Sequence, residues 1–334
     1  MSESKFYHIS RKGKFTSVAT VDEALAEAKN GGFIWLDYCQ PKKEELSKLI
    51  GLLDLHPLSI EDCLDENQIP KIDDFPRNTF IIFNTFEYST RNLSIGEIDM
   101  FIGDNFLVTV SQRKSDNHRV LDGIEHIVET DIQSAQQGPA FLMHVILDHV
   151  VDQKYLAIEA LEDELDTQEE TMLANVANFN PAELFRLRRN LLNIRKSLFH
   201  EREILVKICR KDCPFISEKA IFHYRDIYDH LAKFFELTES YREIVTSLMD
   251  MYLSMLNNQM TKVANQTNQT VRRLTFITTI FMPLTLLAGI GGMSEWSMMT
   301  GPANWKIAYP VFLLAMVVIG FINYGLLRWF ERKK

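Results

Sequence analysis

The pattern of apolar and polar positions changes character along the chain. Up to about residue 115, short runs rich in β-branched and aromatic side chains alternate with turn residues. Residues 33–38 (FIWLDY), 79–88 (TFIIFNTFEY), 98–102 and 106–110 read as strands, with Asn30-Gly31-Gly32 and Gly103-Asp104-Asn105 punctuating them. Residues 21–29 and 42–55 carry helical spacing. After Gly138-Pro139 the pattern turns helical and stays so. Two long helices are expected over 141–173 and 181–210, and a third runs from about Ser217 to Gly292, meeting its first proline at Pro283. Two charge-free runs close the chain, 274–294 and 307–327, each of 21 residues. A helix needs about 20 residues to cross the hydrocarbon core. Both runs end abruptly at charges and sit in tandem, which favours two membrane spans over a pair of buried helices in a soluble core.

Charge gives the spans an expected orientation. Arg272 and Arg273 precede the first, and Arg328, Arg332, Lys333 and Lys334 follow the second, whereas the connecting segment 293–306 holds only Glu295 and Lys306. The excess of cations on one side predicts both termini in the cytoplasm and a short external loop. Trp296, Trp305 and Trp329 fall where an interfacial aromatic belt belongs. From residue 261 onward eight bases face two acids, so residues 1–260 carry −15 of a chain whose net charge is −9. Such an acidic region is a poor nucleic-acid binder and a plausible binder of cations. The polar stretch 1–14 has no apolar signal-peptide core, which places the bulk of the chain in the cytosol by expectation. Cys39, Cys63, Cys209 and Cys213 form neither a metal-type CxxC pair nor a dense disulfide pattern and are expected to be reduced and structural. There is no phosphate-binding glycine loop, nucleophile elbow or HExxH, so no enzyme is expected. His144 and His149 are not spaced for one helix face, which argues against a zinc pair, and Glu162-Asp163-Glu164 reads as a solvated helix face.

The third long helix is the most informative. At about 1.5 Å per residue it would be roughly 110 Å long, unlikely to stand alone without bundling. Stepping by four and three from Asp250, one stripe takes in Ser254, Asn257, Thr261, Ala264, Asn268, Val271, Thr275, Thr278, Met282, Thr285 and Gly289. The stripe is mostly small or polar even inside the first span, where its neighbours Phe276, Ile277, Ile280, Phe281, Leu284 and Leu287 are apolar. Such a face is costly against lipid. Either several copies surround an aqueous axis, or threonine and glycine serve as close-packing contacts between helices; the stripe alone leaves both open. A chain with two spans encloses a pore only as an oligomer.

Residues 280–294, IFMPLTLLAGIGGMS, closely resemble the first span of CorA-type divalent-cation channels, a family that ends this span with Gly-Met-Asn and follows the second with a short basic tail. Residues 56–80 (HPLSIEDCLDENQIPKIDDFPRNTF), Leu147-Asp148…Asp152, Phe222…Arg225-Asp226-Ile227-Tyr228-Asp229-His230 and Asp250-Met251-Tyr252-Leu253-Ser254 also match, in the family's order. The resemblance implies an α+β membrane protein built as a homopentameric funnel. Its parts would be a cytoplasmic α/β domain (1–137), long bundle and stalk helices (138–273), a pore-lining first span (274–294), an external loop (295–306), a second span in the outer ring (307–327) and a basic cytoplasmic tail (328–334). The implied cell (inner) membrane protein is a passive magnesium channel, also admitting cobalt or nickel and gated by intracellular magnesium. Gly292, Met293 and Ser294 would form the selectivity filter, and Asn268, Val271, Thr275, Thr278, Met282, Thr285 and Gly289 would line the pore. By residue matching, regulatory metal sites between subunits fall on Asp62 and Asp226, with Glu61, Asp148 and His230 close by. Regulatory Mg2+ would bridge like-charged subunits, and its loss would let them repel and the constriction wet.

Two departures matter. The signature asparagine is Ser294, and the loop keeps a single acid, Glu295. Residues 252–274 also look about two helical turns longer than in relatives, a heptad-sized insertion that would keep the stripe in phase. A ring of serine hydroxyls offers shorter acceptors and a wider mouth than asparagine amides, which puts magnesium selectivity in question. Zinc or another transition metal on the same fold is an alternative cargo. A membrane-anchored sensor or interaction protein that conducts nothing is the alternative of a different class.

Overall fold

The structure is a computed structural model of the 334-residue chain, and it describes residues 4–65, 68–112, 119–292, 301 and 304–332. These divide into two compact units, Met1–Tyr252 and Leu253–Lys334.

The first unit is built on a seven-stranded sheet in the order β2-β1-β3-β7-β6-β5-β4. Its strands are β1 (Lys5–Ile9), β2 (Phe15–Val18), β3 (Phe33–Cys39), β4 (Lys71–Asp74), β5 (Thr79–Ser89), β6 (Asn92–Ile102) and β7 (Phe106–Ser111). All neighbours are antiparallel except β3 and β7. The four expected strands are present, β6 starting earlier than its apolar run. The two edge strands β2 and β4, and β1 beside β2, escaped the sequence reading because they are short and mixed in polarity. Each face carries its own core, as period-two side chains require. Phe83, Ile98, Met100 and Ile102 point to one face, and Phe80, Ile82, Phe101 and Val108 to the other.

On the second face lie three short helices, α1 (Val21–Lys29), α2 (Lys43–Leu53) and α3 (Pro57–Asp62). Their starts are capped locally. The Thr20 hydroxyl accepts from the Glu23 N–H, and the His56 ring nitrogen accepts from the Leu58 N–H with Pro57 at the first helical position. The first face is covered after α4 (Ile124–Thr130) and α5 (Ile132–Ala135) by α6 (Pro139–Ala174), which shares a core with α7 (Ala182–Cys209) and the beginning of α8 (Glu218–Gly291). A buried ion pair fastens this layer. Lys154 of α6 and Glu201 of α7 are 2.5 Å apart and fully enclosed. Glu201 also accepts from the Asn84 N–H on β5, and the Lys154 ammonium sits 4.0 Å from the Phe83 ring centroid. Glu164 corrects the reading of 162–164 as a solvated face: it is buried and paired with Arg186 of α7.

The second unit holds the remainder of α8, which ends at Gly291, and α9 (Trp305–Arg332). Each contains a stretch long and apolar enough to cross a membrane. Both prolines inside these helices, Pro283 and Pro310, lie in those stretches.

Candidate functional site

Within the second unit, α8 has two faces of different fate. Phe276, Ile280, Pro283, Leu284, Leu287 and Gly291 are half-buried. Ile280 and Leu284 line an apolar groove with Met316, Val317 and Gly320 of α9. Gly291 has no Cβ for a reason of space: one placed there would lie 2.7 Å from the Phe312 ring. At about 100° per residue, the opposite side of the helix carries Thr275, Thr278, Met282, Thr285 and Gly289. All five are exposed, as are Asn268 and Val271 above them. The expected pore-lining stripe is therefore one continuous face that α9 leaves uncovered.

The threonines on that face are chemically polarised. Each hydroxyl donates to the carbonyl four residues back: Thr275 to Val271 at 2.9 Å, Thr278 to Leu274 at 2.7 Å and Thr285 to Phe281 at 2.8 Å. With the proton spent inside the helix, the hydroxyl oxygen faces outward as an acceptor only. A hydrated cation presents water protons, which such oxygens can accept. Met282 and Val271 interrupt the row with apolar bulk. Of the expected filter residues, Gly292 closes α8, its N–H donating to Ala288 at 3.0 Å, while Met293 and Ser294 lie outside the described residues.

In the first unit the expected metal-sensing acids fall into two groups. Asp148 of α6 and Asp226 of α8 belong to one. Burial, then the neighbouring charges of Asp152 and Asp226, push the Asp148 carboxyl up from its ordinary range. Asp226 is exposed and stands 3.6 Å from His230 one turn along. Asp62 of α3 belongs to the other, with Glu61 exposed beside it. The Lys71 ammonium lies 2.6 Å from Asp62 and 3.4 Å from Asp73. Against the burial that lowers it, these carboxylates hold Lys71 above its usual range. Among the described residues of this single chain, no three His, Cys, Asp or Glu side chains come together as a metal cage. Lys71 and Asp152 stand in the matched stretches 56–80 and 147–152 but have no expected role there; the Lys71 ammonium on Asp62 and the charge of Asp152 beside Asp148 are what the structure adds.

His144, set aside as a zinc partner of His149, meets another histidine instead. Its ring centroid lies 4.9 Å from that of His223 on α8. Burial, then the neighbouring His223, pulls its pKa down to about 4. No disulfide joins the four cysteines.

Comparison with known proteins covers nearly the whole chain. A family model described as "CorA-like Mg2+ transporter protein" matches residues 30–332. The cobalt/magnesium transport protein CorA of Thermotoga maritima is 30% identical over 304 residues, which span 90% of this chain and 82% of that protein. A zinc transport protein, ZntB of Yersinia enterocolitica, is 22% identical over 323 residues, 94% of this chain and 91% of its own. Among solved structures, the complete CorA magnesium transporter of Methanocaldococcus jannaschii superposes with a TM-score of 0.69 at 25% identity, covering 97% of each chain.

Proposed function

The chain belongs to the CorA-like Mg2+ transporter family, and on that premise we propose that it is a passive divalent-cation channel whose cargo is magnesium, with cobalt and nickel also admitted. The observation that carries the reading is the two-faced first span. Its apolar face is occupied by α9, and its polar face is left bare. A bare polar face inside hydrocarbon is costly unless other copies enclose it with water. We infer a homopentamer in the cell inner membrane, with α8 lining the axis, α9 outside and both termini cytoplasmic. The cation-rich flanks of both spans support that orientation. The parts follow the boundaries above: cytoplasmic domain 1–137, helical bundle and stalk 138–273, spans 274–294 and 307–327, external loop 295–306 and basic tail 328–334.

Magnesium releases its water reluctantly, so the cheapest passage is hydrated, handed between acceptors. Gly292, Met293 and Ser294 would form the outer ring of acceptors, and the Thr285, Thr278 and Thr275 oxygens a descending ladder. Met282 and Val271 are the constrictions that gate by excluding water. Gating by internal magnesium would use Asp62 with Glu61 from one subunit and Asp226 with Asp148 and His230 from its neighbour. The Asp62–Lys71 pair sharpens this proposal: an incoming divalent ion must displace the Lys71 ammonium, which raises the magnesium level needed to close the ring.

Zinc is the second reading, favoured by the ZntB relative. Purified protein in liposomes decides among the readings. Magnesium influx that cobalt competes for supports the first, zinc influx insensitive to magnesium supports the second, and no flux of either overturns both in favour of a non-conducting protein.

A further inference from the structure

Two imidazoles from different helices meet where α6 packs against the start of α8. The ring centroids of His144 and His223 lie 4.9 Å apart, with their planes inclined by 59°. Neighbouring groups fix this meeting point. The Tyr224 hydroxyl donates to the Ala140 carbonyl at 2.6 Å, and both residues are buried. The Tyr224 ring meets His144 edge-on at 5.9 Å, and the Phe141 ring meets His223 edge-on at 5.5 Å. The pair is thus held from both helices without engaging its nitrogens. Among the described residues no hydrogen bond or ion pair reaches the nitrogens of either ring. His223 is exposed, and His144 is half-buried with its nitrogens open to solvent. Burial, then the neighbouring His223, keeps His144 neutral near pH 7, which is the ligating form. Ring packing accounts for the contacts with Phe141 and Tyr224, but it gives the paired nitrogens no partner.

We propose that His144 and His223 form a chelating pair for one transition-metal ion of the zinc, cobalt and nickel class, within a single chain. With one nitrogen of each ring about 2.0–2.1 Å from a shared ion and the two bonds near a tetrahedral angle, the ring centroids stand about 5 Å apart. The observed 4.9 Å is that spacing, so turning the rings suffices and the helices need not move. Imidazole suits these ions, whereas magnesium takes oxygen ligands. Among the described residues no third His, Cys, Asp or Glu completes a cage, so water fills the remaining positions. Asp148 lies one turn beyond His144 on α6, and Asp226 one turn beyond His223 on α8. The Asp226 charge is felt at His144, and carboxylates so placed can accept from metal-bound water. The site goes beyond the sensor reading: both ligands come from one subunit, neither is a sensor acid, and the ions it selects are those that imidazole prefers.

The test titrates Zn2+ into the full-length protein in detergent under saturating magnesium, which occupies oxygen sites, with a competing chromophoric indicator reading free Zn2+. The parent should hold one tight Zn2+ per chain. His144→Gln and His223→Gln should each weaken it by at least about tenfold, because either change reduces a chelate to a single imidazole. Asp62→Asn, which disables the proposed magnesium sensor, should leave the ion in place, so that failure of the sensor reading and failure of this site are told apart. Zinc K-edge X-ray absorption adds a readout that a packing role would not move: a shell of two imidazole nitrogens in the parent, and of one in either histidine variant. Equal Zn2+ affinity in the parent and both histidine variants, loss of the ion in Asp62→Asn, or a parent spectrum without imidazole scattering overturns the proposal.

Discussion

The two ends of α8 are one helix treated in opposite ways. From Ala220 to Leu248, residues spaced by three and four are buried, among them Tyr224, Ile227, Leu231, Phe234, Tyr241 and Val245. Tyr224 even donates its hydroxyl to the Ala140 carbonyl at 2.6 Å. Beyond Leu248 no α8 residue is buried. The first end finds its partners inside its own chain, on α6 and α7. The second end carries a polar face that α9 leaves uncovered. Lipid would offer the three threonines and the glycine of that face no hydrogen bonds, which is the ground for the assembly proposed above.

The largest effect is expected at the end of α8 whose partners lie in its own chain. Lys154→Met leaves Glu201 buried and unpaired, which should destabilise the first unit by about 3–5 kcal/mol in chemical denaturation. Adding Glu201→Gln should recover most of that loss, since glutamine still accepts from the Asn84 N–H. If the single variant unfolds like the parent, the buried pair is not what fastens α6 to α7.

At the other end, Thr278→Leu with Thr285→Leu should leave that denaturation transition untouched and cut magnesium flux at least about tenfold, since leucines offer a hydrated ion no acceptors. Leu284→Met on the occupied face should change flux little. Between the ends lies the proposed coupling. Asp62→Asn with Asp226→Asn should keep liposome flux running at internal magnesium levels that close the parent, with magnesium protecting less well against proteolysis. Unchanged inhibition in a correctly assembled double variant would remove these acids from the sensor.

The smallest effect is acid sensitivity at His144. Its folded pKa of about 4 lies below the ordinary histidine value of 6.5, so the unfolded chain binds the proton first. The stability this confers is complete above pH 6.5 and is lost as pH falls through 4. His144→Gln should flatten that acid limb by about 1 kcal/mol once solvent screening is allowed for, measured as the difference in denaturation midpoints between pH 7 and pH 4.5.

Much of this architecture was legible in the residues. The two spans, the three long helices and the central strands announce themselves by period and by runs free of charge. The edge strands did not, because a four-residue edge such as Phe15–Val18, with no fully buried position, leaves little periodic signal. Burial of charge was the larger blind spot. Lys154, Glu201, Glu164 and Asp99 occupy positions that composition alone assigns to solvent, and only the packing of α6, α7 and the sheet encloses them. The stripe was readable as polar but not as bare; α9 on the opposite face adds that. The same limit applies to Lys71, whose place on Asp62 depends on β4 returning beside α3.

In the proposed channel the bare face of α8 borders water through which the ion moves. Cysteine replacement with a charged, membrane-impermeant thiol reagent tests it directly in liposomes, scored by magnesium flux against the parent's own background. Thr275→Cys, Thr278→Cys and Thr285→Cys should be modified, lose flux on modification and be protected by magnesium, whereas Ile280→Cys and Leu284→Cys should be inert. Equal reactivity around the helix, or modification of the stripe with flux unchanged, would rule out an aqueous ion path along this face.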